Sequence, residues 1–253
     1  MAETPSRGQG FASPKFVAAA AVVVALLVGL VWVAADRDRD PQPAPAEPAA
    51  SEPSPASGAD YGPAPTSEGD GDASTCGLAS SDMSVPSMPI PSVPVAVGEQ
   101  MRVPSLQGVG PGVIPDDGGI SYCFAHTPTG AVLAAANFFT WFSSNQQLPD
   151  VVLRLMEDSP ARDSLASQVD AGWSGQTASP AVIQGFQFED RGPDHALVVL
   201  AVSTVAYPDQ LVAWPVPLAW QDGDWKAVVP ASESWGERPI QSLDVEGFVP
   251  WGA

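Results

Sequence analysis

The run from Phe16 to Ala35, FVAAAAVVVALLVGLVWVAA, constrains this chain more than any other stretch. It holds 20 uncharged apolar residues between Lys15 and Asp36. At about 1.5 Å rise per residue, a helix of that length spans a hydrocarbon core of ~30 Å. A helix buried in a water-soluble domain would rarely be apolar on every face for so long. Trp32, near one end, suits the interfacial belt. The run is therefore read as a transmembrane helix over 16–35. A cleaved signal peptide is the competing reading, with Val33-Ala34-Ala35 as its cleavage signal, but its apolar region is normally about 7–15 residues.

Orientation follows less directly. Arg7 and Lys15 precede the run, while Arg37 and Arg39 follow it, so the Lys/Arg count is nearly balanced. A short tail before a single helix usually stays in the cytoplasm. Residues 1–15 are accordingly expected inside the cell. Residues 36–253 are expected outside it, on a cell-membrane protein with one span.

Residues 36–75 cannot build a core. From Asp40 to Thr75 the chain has eight prolines, many Ala, Ser and acidic residues, and one aromatic, Tyr61. Such a segment cannot repay the entropy of folding and is expected to be a disordered or polyproline-II stalk. Fully extended at about 3.1 Å per residue, it would reach roughly 110 Å. Residues 76–253 then supply one domain of ordinary size.

Charge excludes one class of partner. The formal net charge is −19, and both halves of the chain are acidic. After position 75 the basic residues are Arg102, Arg154, Arg162, Arg191, Lys226 and Arg238, scattered one by one. Nucleic-acid binding needs clustered Lys and Arg and is not expected.

Cys76 and Cys123 are the only cysteines. Outside the cytoplasm two cysteines normally pair, so a disulfide between them is expected rather than a reactive thiolate beside His126. Thr127 and Pro128 read as the N-cap and first-turn residues of a helix. The two histidines, His126 and His195, make a poor metal site without further ligands at suitable spacing. No metal or other cofactor is expected.

Within 76–253, residues 76–121 read as an extended proline-rich arm and loop. In MSVPSMPIPSVPV (83–95) every gap between prolines holds an apolar residue, so Val85, Met88, Ile90 and Val93 are expected to lie along a folded surface. GAVLAAANFFTWFSS (130–144) should be a central buried helix, and 150–158 and 159–172 two more. Asn137, inside the first helix, should find a hydrogen bond in the core or touch a ligand. Strands follow at 181–190, 195–205 and 210–220, and 225–230 returns after an Asp222-Gly223 turn. Val182, Phe186 and Phe188 should share one side of the first strand. Val212, Trp214, Val216, Leu218 and Trp220 share a face by period two. Pro215 and Pro217 imply an edge strand or a bulge. Helices first, then an antiparallel sheet, predict an α+β fold with the helices packed on a curved sheet. Phe248 and Trp251 would fasten the C-terminus to the domain or stand exposed for a partner.

Two stretches carry a resemblance. GPGV (110–113) with CFAHTPTGAVLAAANF (123–138) resembles a family of actinobacterial extracytoplasmic domains of unknown function, whose members often sit near conjugative-element genes. LAWQDGDWKAVV (218–229) resembles the final hairpin of nuclear-transport-factor-like cone folds, of the cystatin-like kind. That fold also occurs in single-span inner-membrane subunits of type IV secretion and conjugation machines. The resemblance implies a non-enzymatic assembly or interaction subunit whose partners are membrane or envelope proteins, with room for a homo-oligomer. It also admits a second function, an apolar ligand such as a lipid or cell-envelope fragment held in the cone, with Asn137, Trp214 and Trp220 as lining residues and Trp251 as a partner contact.

Catalysis is not expected. GWSGQ (172–176) has Gln176 where a nucleophile elbow needs glycine. The acidic pairs Asp116-Asp117, Glu157-Asp158 and Glu189-Asp190 are sequence neighbours, which usually point apart.

Overall fold

A computed structural model describes residues 73–98, 101–230 and 234–252. The chain divides into two units, Met1–Glu68 and Gly69–Ala253, and all described residues lie in the second. The expected cytoplasmic tail, the Phe16–Ala35 helix and nearly all of the stalk fall outside the described residues. Among the described residues no helix is long and apolar enough to cross a membrane.

The fold is α+β, a curved antiparallel sheet with few helices. Strands β1 (Val93–Val97) and β2 (Met101–Ser105) form a hairpin. Helices α1 (Pro128–Ser144), α2 (Leu148–Leu155) and α3 (Pro160–Gly172) follow. The main sheet takes β3 (Val182–Asp190), β4 (His195–Thr204), β5 (Tyr207–Gln221) and β6 (Asp224–Ala227). Short C-terminal pieces complete it: β7 (Arg238–Ile240), a helical turn α4 (Leu243–Glu246) and β8 (Val249–Pro250). The strand order is β6-β5-β4-β3-β8, and β7 also pairs with β5.

Helix α1 starts where the sequence says it should. Thr127 caps it, its hydroxyl accepting the Gly130 N–H at 3.0 Å, and Pro128 occupies the first turn. A Cβ at Gly130 would lie 2.0 Å from the Ala125 carbonyl oxygen, so only glycine lets the incoming chain fold back this closely. Nearly every residue of α1 is buried, between β2 on one side and the sheet on the other. Helix α2 is shorter than expected, because Met156 leaves it to bridge Ala227 and the Glu157 N–H donates to the Ala227 carbonyl at 2.9 Å. Helix α3 buries none of its residues.

The strand pattern corrects the sequence reading at one point and narrows it at another. Gln184 is an extra residue in β3, since Ile183 pairs Val202 and Gly185 pairs Ala201. By that count Ile183, not Val182, shares the face of Phe186 and Phe188, and Val182 is 39% exposed. Strand β5 is not an edge along its whole length. Its outer side is covered by β7 at Leu211–Ala213 and by β6 at Leu218–Gln221. Pro215 falls in the gap between these partners and Pro217 at its margin, so neither missing N–H breaks the ladder to β4.

Trp214, Val216 and Leu218 pack with Phe186, Val198 and Leu200 on the sheet face that carries α1. The C-terminal strap closes part of the opposite face, where Ala201, Ala213, Ile240 and Phe248 form a second small core with Val199, Leu211 and Leu243.

Candidate functional site

The arm is fastened at both ends. At its start Cys76 and Cys123 form a disulfide. The Thr75 N–H donates to the Gly223 carbonyl at 2.8 Å, and Ser74 accepts the Leu78 N–H at 2.6 Å. At its far end Ile90 is buried beneath the C-terminal tail, where a Cβ on Gly252 would lie 2.5 Å from the Ile90 carbonyl oxygen. Between these points the arm is stiffened by its prolines, which fix φ and favour extended backbone.

The β5–β6 turn anchors the first fastening. Asp222 and Gly223 both have positive φ, 53° and 72°, as a two-residue hairpin turn of the primed kind requires. The next residue, Asp224, is buried, and its carboxylate accepts the N–H groups of Cys123 at 3.1 Å, Phe124 at 2.9 Å and Trp225 at 3.0 Å. The Lys226 ammonium lies 3.1 Å from the same carboxylate and also donates to the Arg154 carbonyl. Cys123 has φ +70°, a left-handed conformation unusual for any residue but glycine, and the Asp224 carboxylate holds it there. The sequence analysis marked Asp222-Gly223 and missed Asp224, whose partners lie about 100 residues earlier in the chain.

The side chains expected along a folded surface divide. Ile90 is 4% exposed, but Met83 is 60%, Val85 52% and Met88 74% exposed, and Val93 is exposed as well. The arm thus carries a row of solvent-facing apolar side chains. Beneath and beside it lie two hollows. The larger, about 430 Å³, lies between Val85–Ser87 of the arm and the Gln187–Glu189 stretch of β3, with Leu197, Val199 and Val249 as apolar walls. The smaller, about 220 Å³, is lined by Met83, His126, Pro128, His195 and Trp225 among others. Val85 and Phe188 border both.

His126 is packed, not solvent-facing. Its ring stacks on Trp220 at 4.1 Å between centroids and meets the edge of Trp225 at 5.3 Å. Its Nε2 donates to the Pro193 carbonyl at 2.9 Å and lies 3.5 Å from an Asp194 carboxylate oxygen. Although His126 and His195 reach the same hollow, no group of three or more His, Cys, Asp or Glu residues is placed to hold a metal among the described residues.

The residues singled out as lining or contact residues are placed apart. Asn137 is spent inside the domain: its carbonyl accepts the Ser121 hydroxyl at 2.5 Å, and its Nδ2 donates to the Ser121 carbonyl at 2.8 Å. The Trp141 indole donates to the same hydroxyl at 3.0 Å. Trp214 is buried against Phe139 and Trp235, and its indole N–H finds no partner among the described residues. Trp220 belongs to the His126 stack beside the smaller hollow. Trp251 meets Phe186 edge-on at 5.8 Å, and its backbone N–H donates to the Gln184 carbonyl at 2.8 Å, so it fastens the tail. The arm side chains and Phe188, which frame the hollows, escaped notice as site residues because they are brought together only by the tertiary fold.

Neither the curated proteins nor the solved structures contain a match to this chain. A family profile does match, described as a domain of unknown function (DUF8175), and it covers residues 55–250. That span includes the whole arm, the hollows and the C-terminal strap, and it also takes in residues 55–75, read above as the end of the stalk. The chain belongs to the DUF8175 family.

Proposed function

We propose that the protein is a non-enzymatic, membrane-anchored extracytoplasmic subunit that works through contact with other envelope proteins, in a machine of the conjugation or type IV secretion kind. One observation carries the interaction reading: the arm is fastened at both ends yet turns Met83, Val85 and Met88 to solvent. Three such side chains within six residues of one ordered segment form the beginnings of an apolar patch, the kind of surface that marks a contact site when contiguous. The disulfide supports placement in an oxidising compartment, outside the cytoplasm. The nuclear-transport-factor-like cone and the actinobacterial conjugative setting rest on the resemblance of residues 110–113, 123–138 and 218–229, a fold-level analogy. The test is crosslinking in the native cell, followed by purification in detergent. Recovery of the chain in defined complexes with membrane proteins is the expected result, and a monomer free of membrane partners would count decisively against the reading.

The smaller hollow favours a second reading, in which the domain holds a small apolar ligand from the membrane or envelope. Met83, Pro128 and Trp225 give it apolar walls, and the His126 stack gives it an aromatic side. Thermal-shift measurements with lipids and cell-wall fragments test it: a saturable rise in melting temperature supports a ligand site, and no shift removes it.

A further inference from the structure

The edge of β3 stops being covered partway along. Strand β8 pairs with it at Gly185 and Phe186 only, and the Trp251 N–H reaches the Gln184 carbonyl one step before. By strand alternation Gln184, Phe186, Phe188 and Asp190 turn their backbone groups outward. Past the end of β8, no backbone hydrogen bond from the described residues reaches the outward groups of Phe188. The arm runs alongside this stretch but stands off from it, and the larger hollow fills the space between. Bare strand edges are usually blocked or covered. Here the edge is walled instead, on the far side, by Val85, Pro86 and Ser87.

The charge around this slot has one dominant sign. Glu189 and Asp190 line the two hollows, with no Lys or Arg in either lining. In sequence, Asp82 precedes Met83 and Asp194 stands between Pro193 and His195; Arg191 offsets Glu189 at 2.8 Å and Arg238 pairs with Glu246 at 2.8 Å, so Asp190 is the uncompensated acid of the linings. The whole chain carries −19.

We propose that the slot between the arm and the β3 edge at Gln187–Asp190 receives an extended peptide segment from a protein partner, one that alternates apolar with Lys or Arg residues. The segment continues the sheet where β8 leaves off. Its backbone pairs with Phe188, its apolar side chains enter the space walled by Leu197 and Val199, and its cations, on the other face by alternation, meet Asp190. Four residues of edge offer roughly 13 Å at about 3.3 Å per residue, enough for a short strand. This deepens the interaction reading above and rests on it for the partner's being an envelope protein.

The experiment uses the full chain in mild detergent and the synthetic peptide Lys-Val-Lys-Val-Lys, capped at both ends. Its controls are the same peptide N-methylated at alternate residues and the acidic analogue Glu-Val-Glu-Val-Glu. Binding is read by calorimetry, and its location by hydrogen exchange. The expected result is saturable binding of the Lys-Val peptide with slowed exchange at the Phe188 amide. N-methylation, which removes backbone donors, should weaken binding roughly tenfold in the register that blocks pairing with Phe188. The variant D190N should weaken binding severalfold and flatten its salt dependence. The inference is overturned if the parent peptide does not saturate, if both methylated registers or the acidic peptide bind as well as the parent, or if protection appears on another edge. Failure here with membrane partners still crosslinked in cells would remove the slot and leave the interaction reading standing. Peptide binding without crosslinked membrane partners would do the reverse.

Discussion

Asp224 holds Cys123 in place: its buried carboxylate accepts the Cys123 N–H at 3.1 Å while Cys123 sits at φ +70°. The disulfide, the start of the arm and the β5–β6 turn therefore meet at a single side chain. Asp224→Ala leaves the buried N–H groups of Cys123 and Phe124 without their acceptor and Lys226 without its counter-charge. The expected loss is about 3 kcal/mol, from roughly 1–3 kcal/mol for each buried group left unpaired with partial relief by water. Urea unfolding checks it, with a lower midpoint at unchanged slope as the expected signature. A loss below about 1 kcal/mol would show that the turn at Cys123 stands without this carboxylate.

The Cys76–Cys123 bridge closes a loop with a sequence separation of 47. On the chain-entropy account, closing such a loop contributes about 4 kcal/mol. The double variant C76A/C123A should lose about that much stability by denaturant unfolding, and reduction of the parent protein should lose a similar amount. Alkylation of freshly isolated native protein should label neither sulfur; labelling of both would remove the oxidising-compartment argument.

Asn137 and Ser121 satisfy each other inside the domain, with Trp141 as a third member. Asn137→Ala removes both bonds, leaves the Ser121 carbonyl unpaired and opens a small void, and should cost about 3 kcal/mol. Asn137→Asp keeps the shape but sets an acceptor against that carbonyl and should be at least as harmful. Thermal unfolding of the two variants side by side separates the polar network from mere loss of volume: an aspartate variant as stable as the parent would contradict the network assignment.

On the exposed arm, Ser84 donates its hydroxyl to Asp82 at 2.6 Å and its backbone N–H at 3.0 Å. These bonds, the hydroxyl first, hold the Asp82 carboxyl below the usual aspartate value. Because the folded-state value is depressed, the contribution is present above the ordinary carboxyl range and fades as pH falls through the folded value. Ser84→Ala should move the Asp82 titration up toward the ordinary value, read by NMR of the side-chain carboxyl carbon. An unchanged titration would show that the hydroxyl does not set it.

Much of the domain was legible because its signals are local. The Thr127-Pro128 cap, the all-round apolar 130–144 run, the period-two β5 face and the Asp222-Gly223 turn each depend on residues a few positions apart. What escaped depends on distance. The β1–β2 hairpin lies partly within the proline-rich stretch, where Pro94 pairs with Pro104 and hides the strand signal. The strap formed by β7, α4 and β8 is too short to show periodicity, and its pairing with β5 and β3 is set by the second small core. The Gln184 bulge reversed the face of Val182 through register alone. The candidate slot was the least legible part, since it is made by an arm and a strand edge about 100 residues apart.

The interrupted outer side of β5 carries one more implication. Pro215 and Pro217 present ring carbons where a neighbouring strand would look for donors, at the stretch of β5 between its partners β7 and β6, where the Val228 N–H already takes the Pro217 carbonyl at 2.8 Å. A second molecule cannot zip its own strand onto that stretch. Copies of the domain can therefore crowd together without their sheets fusing into a fibre there.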